Sequence, residues 1–398
     1  MLLGVGPDGP IGGRRVAITG MGVISSVGSG LEDFWSGLHG PAPTGEHRVH
    51  DFDPEQWFSV KDARNIDRFA QFSVAVADMA LADAGELDAD PGRSGVIMGT
   101  GVGGLQTLET QILVYAEKGA RRVSPRLVPM MMSNAGAAAV SMRIGWHGPS
   151  ETIITACAAG AHSIAHAARL VASGRCDVAI GGAAEAGMTN VGIAAFANMT
   201  ALSTSGNSRP FDVRRDGFVM TEGAGALVLE DWDRAVARCA RIYGVLAGGA
   251  STADAHHITA PAPGGSGAAA CMQLAMDDAG IEANLVAHIN AHGTSTPLND
   301  QAESEAIGKV FGSASPPVTS IKGATGHGLG ASGAIEAVAA VLTIAHASIP
   351  PTVGYEQPDP EIHLDVVSGE ARPWEPGPIL SNSFGFGGHN AVIAIRNV

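Results

Sequence analysis

Aromatic residues make up only 5% of this 398-residue chain, so aliphatic and small side chains must fill its core. Charged residues are also scarce, at 16%, and acidic ones outnumber basic ones. The resulting net charge of −15 argues against a nucleic-acid-binding surface, although it leaves room for a local basic patch. Cysteine is limited to Cys157, Cys176, Cys239 and Cys271, with no C-x-x-C pair and no Cys/His cluster at zinc spacing. That pattern reads as reduced thiols without a metal site. The first residues lack the basic, then apolar pattern of a secretory leader, and no uncharged apolar run reaches the roughly 18 residues of a membrane span. The expectation is a soluble, cytoplasmic protein with neither membrane nor nucleic acid as a partner.

Hydrophobic residues account for 45%, which favours a globule with a large buried core. The 54 glycines follow no collagen-like period and must serve turns and close backbone approaches. Residues 1–13 are rich in Gly and Pro and read as a loose tail. Short apolar runs then alternate with helical patterns: strands at 15–20, 94–98, 177–180 and 224–229, helices at 69–85 and 157–173. The style recurs with strands at 242–246, 288–290, 318–321, 379–382 and 391–395 and helices at 267–280, 300–310 and 330–346. Such alternation predicts an α/β architecture with buried, mostly parallel sheets and two similar halves, 14–247 and 248–398. No low-complexity linker separates them, so they should pack as one body.

Four segments share a form in which chemistry gathers. Cys157 stands in Thr155-Ala156-Cys157-Ala158-Ala159-Gly160, between an apolar run and an alanine-rich helix. A thiol at a helix N-terminus faces unpaired N–H groups, an environment that favours thiolate. Asn290-Ala291-His292-Gly293-Thr294-Ser295-Thr296, Ile321-Lys322-Gly323-Ala324-Thr325-Gly326-His327 and Asn382-Ser383-Phe384-Gly385-Phe386-Gly387-Gly388 each run from an apolar strand into a polar, glycine-rich loop. Such loops collect at the carboxyl-end rim of a sheet, where sites are built. Taken singly, each has a bland reading: an inert core cysteine, a satisfied strand-end histidine, a solvated lysine, a turn. Jointly they offer a thiol, two imidazoles, an amine and a flexible oxyanion-type loop, each with a task in one acyl-transfer reaction.

In that order and spacing the four segments resemble the β-ketoacyl-acyl carrier protein synthases, the elongating synthase II type most closely. The shared pattern is T-A-C-x-x-G, N-A-H-G-T-x-T, K-x-x-x-G-H and N-S-F-G-F-G-G, and the resemblance runs from about Arg15 to Ile395. It implies a thiolase-like αβαβα layered sandwich of two similar halves, dimeric with itself or with a chain-length-factor homologue. It also implies decarboxylative condensation of a Cys157-bound acyl chain with malonyl-acyl carrier protein. No cofactor is implied, because phosphopantetheine arrives on the carrier protein.

The resemblance assigns roles residue by residue. His292 and His327 would donate from Nε2 to the enolate oxygen, and the N–H groups of Cys157 and Phe386 would hold the tetrahedral oxyanion. Lys322 would bias the pair electrostatically and bind Glu336, in a role as structural as chemical. Thr294 and Thr296 would hold the pantetheine amides, or else satisfy their own loop. Phe386 would gate an acyl tunnel lined by Val102 and Phe384. Met130, Met131 and Met132 could add flexible walls or be ordinary core. Lys61 and Arg64, with Arg68 close by, would dock the acidic carrier protein, and Arg121, Arg122 and Arg126 form a further basic cluster.

Departures from the pattern fall at Ala158-Ala159, at Gly323-Ala324 and in a shortened 202–209 segment. They leave the catalytic groups in place but bear on substrate and carrier face. Fatty-acid elongation is the first reading, and the ketosynthase subunit of a type II polyketide or polyene system the second. A non-catalytic chain-length factor is disfavoured by Cys157, and a degradative thiolase by His389, which stands where a second active cysteine would be needed.

Overall fold

A continuous mixed sheet runs through the computed structural model of the chain, which describes residues 13–41, 47–312 and 314–398 and the backbone of 5–6 and 9–10. Its main strands are β1 (Val16–Ser25), β2 (Ser94–Gly99), β3 (Ser150–Glu151), β4 (Val178–Glu185) and β5 (Gly223–Asp231) in the first half. The second half supplies β6 (Gly244–Ala253), β7 (His288–Asn290), β8 (Val318–Thr319), β9 (Ile379–Gly385) and β10 (His389–Arg396). The order across the sheet is β8-β7-β9-β10-β6-β1-β5-β4-β2-β3. Read outward from the centre, each half places its first strand, then its last, then its fourth, second and third. The halves are therefore topological copies. They join where Ala17 and Ile18 of β1 pair with Val245 and Gly244 of β6.

The pairing corrects the expectation of mostly parallel sheets. Only the outer pairs β7–β8, β7–β9, β2–β4 and β2–β3 are parallel. The five pairings between β9 and β4 are antiparallel. The physical reason lies in burial. Strands β1, β4 and β5 are buried at every position, so they read as continuous apolar runs whichever way their neighbours point. The division expected at 247/248 falls inside β6, and the chain is free of regular structure only just before it, at 238–243. The loose tail expected over 1–13 lies largely outside the described residues.

Six helices set the layers: α1 (Arg68–Ala84), α2 (Leu105–Lys118), α3 (Ala159–Ala172), α4 (Ser266–Ala279), α5 (Pro297–Phe311) and α6 (Ser332–His346). α1 covers the outer face of the first half and α4 that of the second. α3 and α6 touch strands of both halves and form a middle layer, completing the αβαβα sandwich. A helix in that position can have no polar face, and every residue from Ser332 to Ile344 is buried. The stretch Leu329–His346 has the length and mean hydropathy (1.5) of a membrane span, but 89% of it is buried inside the fold. Helix α2 and the helices Leu31–Gly37, Ala135–Ile144 and Asn190–Asn198 were not anticipated from the sequence. The last three are short, and α2, although amphipathic, has no buried residue.

The middle helices pack closely because glycine lies at their contact. A Cβ placed on Gly160 of α3 would sit 2.4 Å from the backbone nitrogen of Ala334 in α6. Gly160→Ala would gain roughly 1 kcal/mol of helix propensity. It would lose about 1–3 kcal/mol to overpacking, since backbone has nowhere to go. We expect net destabilisation by denaturant titration; a variant as stable as the parent would show that the two helices can separate freely.

Candidate active site

The two middle helices bring both halves of the chemistry to one point. Cys157 lies in a single turn, Ala156–Ala158, that leads into α3. Ala156 is held at φ 48°, a left-handed conformation that a small residue tolerates at modest cost. The turn carries the Cys157 sulfur to the head of α6. There His327 Nε2 lies 3.1 Å from Sγ. Gly385 lets the β9–β10 loop approach from the other side, since a Cβ there would be 2.8 Å from Thr155 O and 3.0 Å from Cys157 N. The backbone N–H groups of Phe386 and of Cys157 itself reach the sulfur.

His292 follows β7, and its ring stands edge-on to His327 with centroids 5.3 Å apart. Two carboxylates of α5 that the sequence reading missed hold its loop. Glu303 accepts the N–H of His292 at 2.8 Å and of Gly293 at 2.7 Å, and Asp300 accepts that of Thr294 at 2.9 Å. The available signal was an acidic pair at i and i+3 on a helix that starts just after the histidine motif. Burial pushes Glu303 up to about 7, against the donors of Gly293, Asn382 and His292.

Lys322 is almost fully buried, and all three of its ammonium protons are committed. Nζ donates to Glu336 Oε1, to His292 O at 2.6 Å and to His292 Nδ1 at 3.2 Å. No N–H remains to touch a substrate, which places Lys322 behind the imidazole. The contact also sets the imidazole's proton. With Nδ1 accepting from Lys322, His292 carries its hydrogen on Nε2 and donates from there. Burial, then the Lys322 charge, holds both His292 and His327 well below the ordinary imidazole value, so both are neutral donors at physiological pH.

The thiol departs from expectation. Burial pushes Cys157 up to about 12, outweighing the Lys322 charge and the Phe386 N–H that pull it down. At rest the group is a thiol and not a thiolate, because the helix N-terminus does not make up for loss of water.

A cavity of about 450 Å³ opens over these groups. Cys157, His292, His327, Phe384, Phe386, Val102, Thr294 and Thr296 all line it. Thr294 and Thr296 Oγ1 atoms are 2.9 Å apart. Met188, Phe218, Met220 and Leu329 form an apolar cluster around the sulfur, and the Phe218 ring lies edge-on to His327. Met130 and Met131 are partly buried, Met132 is exposed, and none of the three lines this cavity within one chain. Lys61 and Arg64 are exposed. Arg68, unlike Lys61 and Arg64, is engaged within the fold: it forms a two-pronged ion pair with Glu222 and also donates to Val49 O. Among the described residues no group of three or more His, Cys, Asp or Glu side chains is disposed to hold a metal ion.

Residues 38–235 match the family model "Beta-ketoacyl synthase, N-terminal domain", and residues 243–356 match "Beta-ketoacyl synthase, C-terminal domain". The chain is 44% identical over 409 residues to a 3-oxoacyl-[acyl-carrier-protein] synthase 2 of Synechocystis sp., covering 96% of this chain and 98% of that protein. Among solved structures it is similar to the ishigamide ketosynthase/chain length factor, with a TM-score of 0.92, 34% identity, and 97% and 100% of the two chains covered. It is also similar to a type II PKS acyl-carrier protein complex with its ketosynthase bound to the hexaketide, with a TM-score of 0.90, 32% identity and the same coverage.

Two outcomes follow from the geometry. Glu336→Ala strands a buried ammonium and should lower unfolding free energy by about 3–5 kcal/mol in denaturant titration; a loss below about 1 kcal/mol would mean that the pair is solvated. The ring resonances of His292 and His327 should stay in the neutral form across about pH 5–8, where a free imidazole titrates. A midpoint near the ordinary value for either ring would contradict the burial argument.

Proposed function

We propose, for a chain that belongs to the β-ketoacyl synthase family, that it condenses a Cys157-bound acyl group with malonyl-acyl carrier protein, releasing carbon dioxide and 3-oxoacyl-acyl carrier protein. The enzyme is an acyltransferase of fatty-acid elongation. The observation that carries this reading is the Cys157 sulfur at 3.1 Å from His327 Nε2, at the apolar floor of the cavity and beside a second imidazole that points its Nε2–H inward.

In the first half-reaction the Cys157 sulfur attacks the thioester carbonyl of an acyl carrier protein. The carbonyl oxygen becomes an oxyanion between the N–H groups of Cys157 and Phe386. The carrier's sulfur leaves and takes the cysteine proton, so a thioester and a thiol are exchanged for the same two functions. The proton balance closes because the carrier's departing sulfur takes the proton that Cys157 gives up. In the second half-reaction the malonyl thioester loses carbon dioxide, and the electron pair moves onto the thioester oxygen as an enolate. His292 and His327 donate to that oxygen. One such donor is worth about 3–4 kcal/mol of barrier. The enolate carbon then attacks the acyl-Cys157 carbonyl, the C–S bond breaks, and the departing sulfur is reprotonated from solvent. Thr294 and Thr296 line the cavity where the pantetheine amides pass, and Val102, Phe384 and Phe386 where the acyl chain lies.

The two halves divide this labour: the first carries the thiol, and the second carries Lys322, both imidazoles and the Phe386 loop, with the break placed at 238–243. The exposed Lys61 and Arg64 are the docking positions for the acidic carrier protein. A second copy of this chain is the partner that fits the apolar residues left bare on the first half. Ile112, Leu113 and Tyr115 of α2, with Val128 and Ile154, are each more than half exposed, and Ile154 lies three residues from Cys157. The polyketide reading is supported by the likeness to the two ketosynthase structures, but the greater identity to a synthase 2 favours fatty-acid elongation.

Cys157→Ala should abolish the acyl adduct seen by intact-mass measurement with acyl-carrier protein, while the fold persists. An adduct at parental level would remove the nucleophile. His292→Ala should keep that adduct but release carbon dioxide from malonyl-carrier protein about 10²–10³-fold more slowly. Undiminished release would remove its proposed role. Sedimentation of the purified chain should give the mass of two copies; a monomer would leave the bare apolar patch unexplained.

A further inference from the structure

His292 owes its donor tautomer to Lys322, and the same question arises for His327, whose Nδ1 no lysine touches. Ser332, the first residue of α6, answers it. Its hydroxyl is buried and has two neighbours. It accepts the N–H of Gly328 at 2.9 Å and lies 3.0 Å from His327 Nδ1. Two proton arrangements fit these distances. If Nδ1 carried the hydrogen, Ser332 Oγ would accept twice, its own hydroxyl proton would be buried without a partner, and Nε2 would depend on the weak S–H donor of Cys157. If the hydroxyl donates to Nδ1, Ser332 accepts once and donates once, and His327 Nε2–H points at the sulfur. Only the weak S–H is then left free. A buried O–H without a partner costs about 1–3 kcal/mol, so the second arrangement wins.

We infer that Ser332 is a positioning residue that fixes His327 as the Nε2–H donor, doing for one imidazole what Lys322 does for the other. The inference rests on the condensing role given to His327 above, but its first test does not need activity. In protein carrying ¹⁵N-labelled histidine, with His327 assigned by its loss in His327→Gln, the parent should show an acceptor-type Nδ1 and a protonated Nε2. Ser332→Ala should mix or reverse these signatures, and Ser332→Thr, which keeps the hydroxyl, should restore them. Ser332→Ala should also lower the condensation kcat by about tenfold, the rate equivalent of one hydrogen bond, with little change in KM for malonyl-carrier protein. A parent ring protonated on Nδ1, or a Ser332→Ala ring with unchanged signatures, overturns the inference. If the signatures behave as expected but the parent enzyme forms no 3-oxoacyl product, the Ser332 inference stands and the proposed reaction falls.

Discussion

The buried ion pair of Lys322 and Glu336 is the interaction on which the rest of the site depends. Both side chains are 1% exposed, so neither charge could exist there alone. The pair places the Lys322 charge in a buried region beside both imidazoles and the thiol. That charge has three effects at once. It directs an N–H to His292 Nδ1 and so fixes which nitrogen faces the substrate. It helps hold both imidazoles neutral. It pulls the thiol down, although not enough to offset burial. None of these requires Lys322 to touch a reacting atom, and its committed protons leave it none to offer.

The fold makes this concentration of groups possible by sharing its middle layer. A single α/β half would expose one face of its sheet. Two copies placed face to face bury α3 and α6 between them, and the head of each helix then lies beside the other. The first half contributes a thiol at the start of α3, and the second contributes His327 and Ser332 at the start of α6. Close approach is the constraint, and small residues meet it. Gly160 faces the α6 backbone, and Gly385 faces the Cys157 turn. A core built from few aromatics is consistent with such tight layering.

The site was more legible in the sequence than the fold's pairing, for a physical reason. Cys157, His292, Lys322, His327 and Phe386 each stand in a short segment at or after a strand end whose local residue pattern is readable in the sequence. Strand direction leaves no such mark when a strand is buried on both faces, and β4 and β5 were misjudged accordingly. The expected division at 247/248 lies inside β6 because no low-complexity linker marks a boundary in the sequence. Arg68 was assigned to docking, since its charge is visible in the sequence while Glu222, some 154 positions away, is not recognisable as its partner. The thiolate expectation failed on a similarly non-local effect. A helix N-terminus is local and readable, whereas the water lost around Cys157 depends on every element packed over it. Ser332 passed unnoticed because one serine among the small residues of α6 carries no pattern.

Desolvation also bears on why loss of carbon dioxide should be easy here. At rest the groups beside the sulfur are two neutral imidazoles and a thiol, with the Lys322–Glu336 pair behind them. A malonyl thioester brings in a carboxylate, and the nearest positive charge has no free proton to meet it. The lining around Cys157 is apolar, with Met188, Phe218, Met220 and Leu329 close by. A localised carboxylate is poorly solvated in such a place. Decarboxylation replaces it with an uncharged molecule and moves the charge to the thioester oxygen, which in the proposed reaction meets the N–H donors of His292 and His327. The donors thus favour the enolate over the carboxylate through their geometry, and the committed Lys322 ensures that no ammonium stabilises the ground state first.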